Sequence, residues 1–168
     1  MIFVTVGTHE QNFNRLIEKI DVLKKEDKIK DEVVMQTGFS TYEPKYCKWR
    51  KLYPYNEMIE NVRKARIVIT HGGPSSFIMP LQEGKVPIVV PRKKAFDEHV
   101  NDHQLDFAQA VAQRQGNIIV VENVEEMEQI INNYEQIVDK MPAGLKSNNE
   151  KFNIEFEKVV DELFAKKE

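Results

Sequence analysis

Two short loops combine glycine with hydroxyl or imidazole side chains, and each follows an apolar run typical of a buried strand. The first loop, after residues 2–6, begins with Gly7, Thr8 and His9. The second, after residues 66–70, consists of His71, Gly72, Gly73, Pro74, Ser75 and Ser76. Pro74 suits the first position of a helix, and a helix N-terminus offers unpaired N–H groups and a positive dipole end. With the serine hydroxyls added, the second loop is typical of a phosphate cradle, and a tight turn with ordinary caps is the alternative.

A second polar cluster precedes a predicted helix, after the apolar run at residues 87–91. It contains carboxylates, amides and imidazoles, namely Asp97, Glu98, His99, Asn101, Asp102, His103 and Gln104. So many polar groups at one helix N-terminus suit the recognition of sugar hydroxyls. A solvated, well-capped helix start is the alternative interpretation.

Residues in and around this cluster could also take part in metal or phosphate chemistry. His99 and His103 have a spacing that a metal could use, but no third ligand is adjacent in sequence, so we expect no metal site. The basic triplet at residues 92–94 could neutralise a diphosphate or meet anionic lipid, and a solvated loop is the alternative. The fingerprints GxGxxG, GxxxxGK[ST] and GxSxG are absent, which argues against nicotinamide-cofactor, P-loop and α/β-hydrolase sites.

Composition limits the class of protein. The chain has 168 residues and a net charge of -3, with 41% hydrophobic and 30% charged residues, which suits one soluble globular domain. No run reaches the about 18 apolar residues of a membrane span, and the N-terminal residues lack a basic leader, so we expect neither a span nor a signal peptide. The mildly acidic balance argues against nucleic-acid binding. A single cysteine, Cys47, excludes an internal disulfide and fits a reducing cytoplasm.

Short apolar runs alternate with helical patterns along the chain. Strands are predicted at residues 2–6, 32–37, 49–53, 66–70, 87–91 and 117–122. The intervening segments predict helices that begin after a capping box at residues 8–11, at Asn56, at Pro74 and at Val100, and one further helix over residues 124–138. Pro80 should kink or shorten its helix. This alternation predicts an α/β fold with a doubly wound, mostly parallel, Rossmann-like sheet, in which ligands lie beyond the carboxyl ends of the strands.

Two regions of the chain are predicted. A Rossmann-like domain covers residues 1–146, and polar residues with Pro142 and Gly144 then break the chain. An amphipathic helix covers residues 147–168, with an apolar stripe made of Phe152, Phe156, Val159, Val160, Leu163 and Phe164. That stripe could dock a partner or pack onto its own domain.

Four motifs in this order carry a family resemblance. Those at residues 70–76, 84–91 and 101–104 with Ala108 resemble the donor-binding, C-terminal half of GT-B glycosyltransferases, and residues 3–8 resemble the start of the small subunits of two-component transferases. The chain is similar over about residues 1–140 to the small cytosolic subunits of two-component transferases. These include the dolichol-pathway N-acetylglucosaminyltransferase and the galactosyl- or glucosyltransferases of bacterial capsule and exopolysaccharide assembly, of which the capsule β-1,4-galactosyltransferase type is favoured.

The resemblance implies roles for individual residues. Gly7 and Thr8 would line the mouth of the nucleotide-sugar site, residues 71–76 would hold the UDP diphosphate, and part of the segment 53–58 would lie near the uracil. Asn101, His103 and Gln104 would contact sugar hydroxyls. No metal or other cofactor is implied, because the helix N-terminus takes the part of a metal ion. Many relatives carry a ribose-binding Glu where this chain has Met79, and Glu83, one turn further on, is a candidate replacement.

The resemblance also implies a reaction. The chain would transfer a hexose, with galactose favoured, from a UDP-sugar to a lipid-diphosphate-linked saccharide, with inversion. A membrane-anchored partner subunit would bind the acceptor, so that the chain itself would be cytoplasmic and peripheral at the inner face of the membrane. The general base would belong to the acceptor half, and His9 is a candidate base or a donor to the sugar, or else a solvent-exposed helix-cap residue. A non-catalytic nucleotide-sugar-binding or enhancer module is the main alternative, and a fragment of a sugar-nucleotide epimerase is a further one.

Overall fold

Six short strands form one sheet in the computed structural model, which describes residues 1–141, 157–159 and 161–162. The strands are β1 (Ile2–Thr5), β2 (Val33–Gln36), β3 (Lys48–Arg50), β4 (Ile67–His71), β5 (Ile88–Val90) and β6 (Ile119–Val120), in the order β3-β2-β1-β4-β5-β6. Every pairing in the sheet is parallel. All residues of β1, β2, β4 and β5 are buried, which explains why they occur as continuous apolar runs. The predicted doubly wound, Rossmann-like fold class is confirmed.

Helices cover both faces of the sheet because successive residues of each strand point to opposite sides. They are α1 (Asn14–Lys25), α2 (Tyr55–Lys64), α3 (Pro74–Gln82), α4 (His103–Gln115), α5 (Met127–Asn132) and α6 (Tyr134–Asp139), with single 3-10 turns at Lys94–Phe96 and Val124–Glu126. Ile2 and Val4 pack into a core with α1 and α5. Phe3 faces the other way and packs with Val62 of α2. Val89 contributes to a third cluster, with α3 and α4.

The strand order reverses between β1 and β4. The chain builds β1, β2 and β3 outward in one direction and then returns to place β4 on the other side of β1. Ile2 pairs with Ile67 and Thr5 pairs with Thr70, so β1 and β4 end side by side. The loops that follow them must diverge, and they leave a crevice at the carboxyl edge of the sheet.

Two predicted helix starts were wrong, those of α1 and α2. The capping box at residues 8–11 does not form, and α1 begins only at Asn14. In that loop His9 Nδ1 accepts from the Gln11 N–H, and Ser40 Oγ accepts from the Phe13 N–H. In α2, Pro54 is the N-cap residue and Asn56 lies inside the helix.

Three further helical predictions need correction or refinement. Helix α4 begins at His103 and not at Val100, because the Asn101 side-chain oxygen accepts from the His103 N–H and turns the chain before the helix. The predicted helix at residues 124–138 is divided at Asn133. Pro74 opens α3 as expected, and the helix continues only to Gln82, two residues beyond Pro80.

The predicted C-terminal helix is described in part. Residues 157–159 and 161–162 are helical, and Val159 is buried in the cluster that contains Phe107 and Val111. The other members of the predicted stripe (Phe152, Phe156, Val160, Leu163 and Phe164) lie outside the described residues, so docking onto a partner stays a prediction. Within the described ranges, every helix is too short or too polar to cross a membrane.

Candidate functional site

The crevice between β1 and β4 brings together the two predicted glycine loops. Gly7 lies against the imidazole of His71, since a Cβ atom on Gly7 would stand 2.3 Å from His71 Nε2. Gly7 also has φ +71°, a conformation that favours glycine. Gly7, Thr8 and His9 therefore lie beside His71 and the start of α3 at the carboxyl edge of the sheet.

His71 is a buried, neutral imidazole that positions Ser76. Its Nδ1 accepts from the Gly73 N–H at 3.1 Å, so the ring proton lies on Nε2, which is 2.9 Å from Ser76 Oγ. Burial, and next the charge of Arg92, lower the pKa of His71 to about 3. Since Nε2–H donates to Ser76 Oγ, the hydroxyl proton of Ser76 is left to donate elsewhere.

Gly72 and Gly73 make room for side chains of the protein. A Cβ on Gly73 would stand 2.2 Å from His71 Cε1, and a Cβ on Gly72 would stand 2.8 Å from Gln104 Cβ. Glycines in a loop of this kind can admit a ligand close to the backbone. The Cβ positions of Gly72 and Gly73 instead admit His71 and Gln104, a packing role that spacing alone did not reveal.

The N-terminus of α3 presents a small set of hydrogen-bond donors. Ser75 is exposed and Ser76 is half-buried. The Ser76 N–H donates to the Gly73 carbonyl at 3.0 Å, whereas nothing among the described residues accepts from the Ser75 N–H. The Ser75 amide, the two serine hydroxyls and the helix dipole together can bind an anionic oxygen.

Gln104 joins the loops that follow β4 and β5. Its side-chain oxygen accepts from the Gly72 N–H at 3.2 Å and from the Arg92 N–H at 3.1 Å. The amide nitrogen is therefore the part of Gln104 that can reach a ligand. Asn101 and the exposed His103 lie beside it at the start of α4. The structure thus brings all three predicted sugar-contacting residues to the same edge as His71.

His9 lies in the β1–α1 loop with its ring 4.6 Å from that of His99, centroid to centroid. Its Nδ1 accepts from the Gln11 N–H at 3.2 Å, so the neutral ring carries its proton on Nε2. Burial, and then the charges of His99 and Arg92, lower the pKa of His9. This geometry favours a donor over a base, and the helix-cap alternative is wrong because no helix begins there. No local sequence pattern indicates the contact with His99.

Other members of the polar cluster have structural partners. Glu98 is 2% exposed and is held by Arg15, so it cannot meet a sugar. His99 Nδ1 accepts from the Asn101 N–H, and His99 precedes α4, so the helical pairing with His103 does not form. In the described part of the chain, no three His, Cys, Asp or Glu side chains are grouped as a metal site.

Arg92, the first residue of the basic triplet, fits none of the roles considered for that triplet, which were contact with a diphosphate, with anionic lipid or with solvent. That side chain is fully buried, so it meets neither solvent nor a ligand. Glu83 also lies away from the crevice, beyond the C-terminal end of α3, where it pairs with Arg63 at 3.0 Å. The half-buried Met79 packs into the cluster that contains Phe3. This geometry does not support Glu83 as a replacement for a ribose-binding Glu.

The segment at residues 53–58 lies at the same sheet edge, after β3. The Tyr53 N–H donates to the Gln36 side-chain oxygen at 2.8 Å, and the Arg50 guanidinium lies 5.3 Å from the Tyr53 ring centroid. Tyr55 is 72% exposed at the start of α2. A contact of this segment with uracil stays a prediction.

Comparison with known proteins identifies the family. Residues 1–164 match the glycosyltransferase family 28 C-terminal domain. The chain belongs to this family.

Named relatives agree with that assignment. The chain is 31% identical over 116 residues to the human UDP-N-acetylglucosamine transferase subunit ALG13, which covers 64% of the chain and 10% of the relative. Its fold is similar to a glycosyltransferase of kitacinnamycin (TM-score 0.58, 17% identity, 86% of this chain and 36% of the other). It is also similar to the Streptomyces sp. SF2575 glycosyltransferase SsfS6, solved with thymidine diphosphate (TM-score 0.51, 20% identity, 81% and 33%). The chain therefore spans about a tenth to a third of the length of these proteins.

Proposed function

We propose that this chain is the donor-binding subunit of a UDP-sugar-dependent, inverting hexosyltransferase. The observation that carries the proposal is the crevice of a family 28 domain in which neutral His71 positions Ser76 beside the unpaired Ser75 amide. The name of the human relative, a UDP-N-acetylglucosamine transferase subunit, supports a UDP-sugar donor and a role as one subunit of several.

The diphosphate binds at the N-terminus of α3. The Ser75 N–H and the hydroxyls of Ser75 and Ser76 donate to its oxygens. As the bond between sugar and phosphate breaks, negative charge grows on the departing UDP, and preorganised donors stabilise it without reorganisation. The reaction as proposed requires no metal ion, since these donors and the helix dipole take that part.

The transferred sugar lies between the β1–α1 loop and the start of α4. Asn101, His103 and the amide nitrogen of Gln104 contact its hydroxyls, and His9 donates from Nε2. Galactose is the favoured hexose. The acceptor is a lipid-diphosphate-linked saccharide of capsule or exopolysaccharide assembly at the cytoplasmic face of the membrane.

A membrane-anchored partner subunit supplies the acceptor site and the general base. Support comes from the large exposed hydrophobic residues at the carboxyl edge of the sheet, which are Phe39, Leu52, Tyr55, Phe96 and Val100. Four of them lie between β2, β3 or β5 and the next strand or α-helix, and Tyr55 is the first residue of α2, so that they stand on both sides of the crevice. Apolar groups around a polar cleft are typical of a surface that meets another protein.

The test is transfer from labelled UDP-galactose, UDP-glucose and UDP-N-acetylglucosamine by the chain co-purified with its partner. We expect Ser76→Ala to lower transfer by about 10- to 100-fold, because the variant lacks one hydrogen-bond donor to the developing negative charge. Co-purification with the partner should be unchanged. The exposed α5 residue Asn132 provides a matched control, and Asn132→Ala should transfer normally. Normal transfer by Ser76→Ala would contradict the proposed site. Loss of partner binding without loss of donor-dependent chemistry would favour the non-catalytic enhancer module.

A further inference from the structure

Arg92 lies completely buried beneath the candidate site, and its guanidinium reaches both ends of the β1–α1 loop. Nη2 donates to the Val6 carbonyl at 2.8 Å. Nη1 donates to the carbonyls of Gln11 at 2.8 Å and Asn12 at 3.2 Å. The same group lies 5.0 Å from the centroid of the Phe13 ring. One side chain therefore joins the point where the loop leaves β1 to the point where it approaches α1.

Arg92 also connects this loop to the two other loops of the crevice. Nη1 donates to the Glu98 carbonyl at 3.2 Å in the β5–α4 loop. The backbone N–H of Arg92 donates to the Gln104 side-chain oxygen, which in turn holds the Gly72 N–H. Residues after β1, β4 and β5 are thus linked through a single residue.

Among the described residues, no carboxylate is in direct contact with this guanidinium. The buried Glu98 carboxylate is occupied by Arg15, at 2.8 and 3.0 Å, and by the Lys93 N–H at 3.0 Å. Two guanidinium groups therefore lie near one carboxylate, but only that of Arg15 contacts it, so that a net positive charge is left behind the loop. Burial lowers the pKa of Arg92 to about 10, which leaves it protonated at neutral pH. Burying a cation is unfavourable unless hydrogen bonds compensate, and here four backbone carbonyls accept from Nη1 and Nη2, whereas Nε has no partner among the described residues.

We propose that Arg92 is a positioning residue that clamps the β1–α1 loop against the crevice, so that Gly7 stays packed on His71 and the diphosphate site keeps its shape. The inference rests on the proposed function for its ligand. It assigns to Arg92 no contact with substrate, because the side chain is inaccessible. Its positive charge adds a field that favours an anionic ligand and disfavours protonation of His9, His71 and His99.

The experiment compares Arg92→Met, Arg92→Lys and the control Arg66→Met. Arg66 loses the same charge but lies at the opposite edge of the sheet, where it pairs with Asp31 and Glu135. Amide hydrogen exchange of residues 7–12 is measured in the free proteins, and UDP affinity is measured by calorimetry. In Arg92→Met we expect exchange about tenfold faster and UDP binding about tenfold weaker, the effect of losing hydrogen bonds to a charged group. Arg92→Lys should recover part of both, and Arg66→Met should change neither.

Each arm of the comparison decides the inference. Wild-type exchange at residues 7–12 in folded Arg92→Met and Arg92→Lys would overturn it, whatever happens to UDP. If Arg92→Met does not fold, unchanged loop exchange in Arg92→Lys overturns the inference and faster exchange supports it. If the wild-type chain binds no UDP, the proposed function fails, whereas the exchange data still report on the clamp.

Discussion

At the residue scale, the candidate site depends on the fit between His71 and two glycines. Gly7 and Gly73 approach the ring so closely that neither has room for a Cβ atom. The same ring accepts from the Gly73 N–H and donates to Ser76. Because Gly7 and Gly73 carry no side chain, the His71 ring fits between them and positions the Ser76 hydroxyl.

Gly73→Ala tests this fit. Gly73 has φ -69° and ψ 128°, which alanine adopts without strain, so the contact with His71 alone opposes the new methyl group. We expect the substitution to lower the free energy of unfolding by about 1–3 kcal/mol, the usual effect of overpacking. The measurement is urea denaturation.

The double variant His71→Ala/Gly73→Ala is the control for Gly73→Ala. Removing the ring removes the clash. The double variant should therefore lose less free energy of unfolding than the two single variants lose in sum. Strict additivity, or a Gly73→Ala protein as stable as wild type, would show that His71 and Gly73 do not compete for space.

Local sequence predicted some of these residues and missed others for physical reasons. The loop at residues 71–76 was predictable because glycine, proline and serine act within a few neighbouring positions. The burial of Arg92 was not, because its partners are backbone carbonyls that leave no trace in residue type. The contact between His9 and His99 joins two distant segments and was likewise invisible.

At the element scale, the start of α4 aligns the loops after β4 and β5. Gln104 stands in its first turn and accepts hydrogen bonds from both loops. Strands β1, β2, β4 and β5 were predictable because each is buried on both faces and must be apolar. The starts of α1 and α4 were not, because side chains such as Ser40 and Asn101 satisfy amides that a regular cap would otherwise bind.

Two substitutions at Gln104 separate its contribution to stability from its contribution to UDP binding. Gln104→Leu removes the acceptor of two backbone N–H groups, so we expect a loss of about 1–3 kcal/mol in the free energy of unfolding. Gln104→Glu keeps an acceptor and should stay close to wild-type stability. Its added charge beside the diphosphate should weaken UDP binding by about tenfold, a like-charge effect.

The matched control for Gln104→Glu is Gln113→Glu, at an exposed position further along the same helix. It adds the same charge away from the crevice and should bind UDP as wild type does. Urea denaturation and calorimetry give the two readouts. Wild-type UDP affinity in Gln104→Glu would place the diphosphate away from this residue.

At the scale of the whole molecule, the point of strand reversal concentrates both polar and apolar features on one edge. The loops after β1, β4 and β5 meet there, and exposed apolar residues such as Phe39 and Phe96 lie on either side. The sheet order could be anticipated from the alternation of elements together with the family motifs. The apolar residues around the crevice could not, because exposure depends on the finished fold.

The most direct test of the central claim, that this edge binds a UDP-sugar donor, is an NMR titration of the isotope-labelled chain with UDP. We expect saturable shifts of the backbone amides of Gly72, Ser75 and Ser76, with smaller shifts at Gly7. Amides at the opposite edge, such as that of Arg66, should not move. Absence of shifts, or saturable shifts confined to that opposite edge, would contradict the claim.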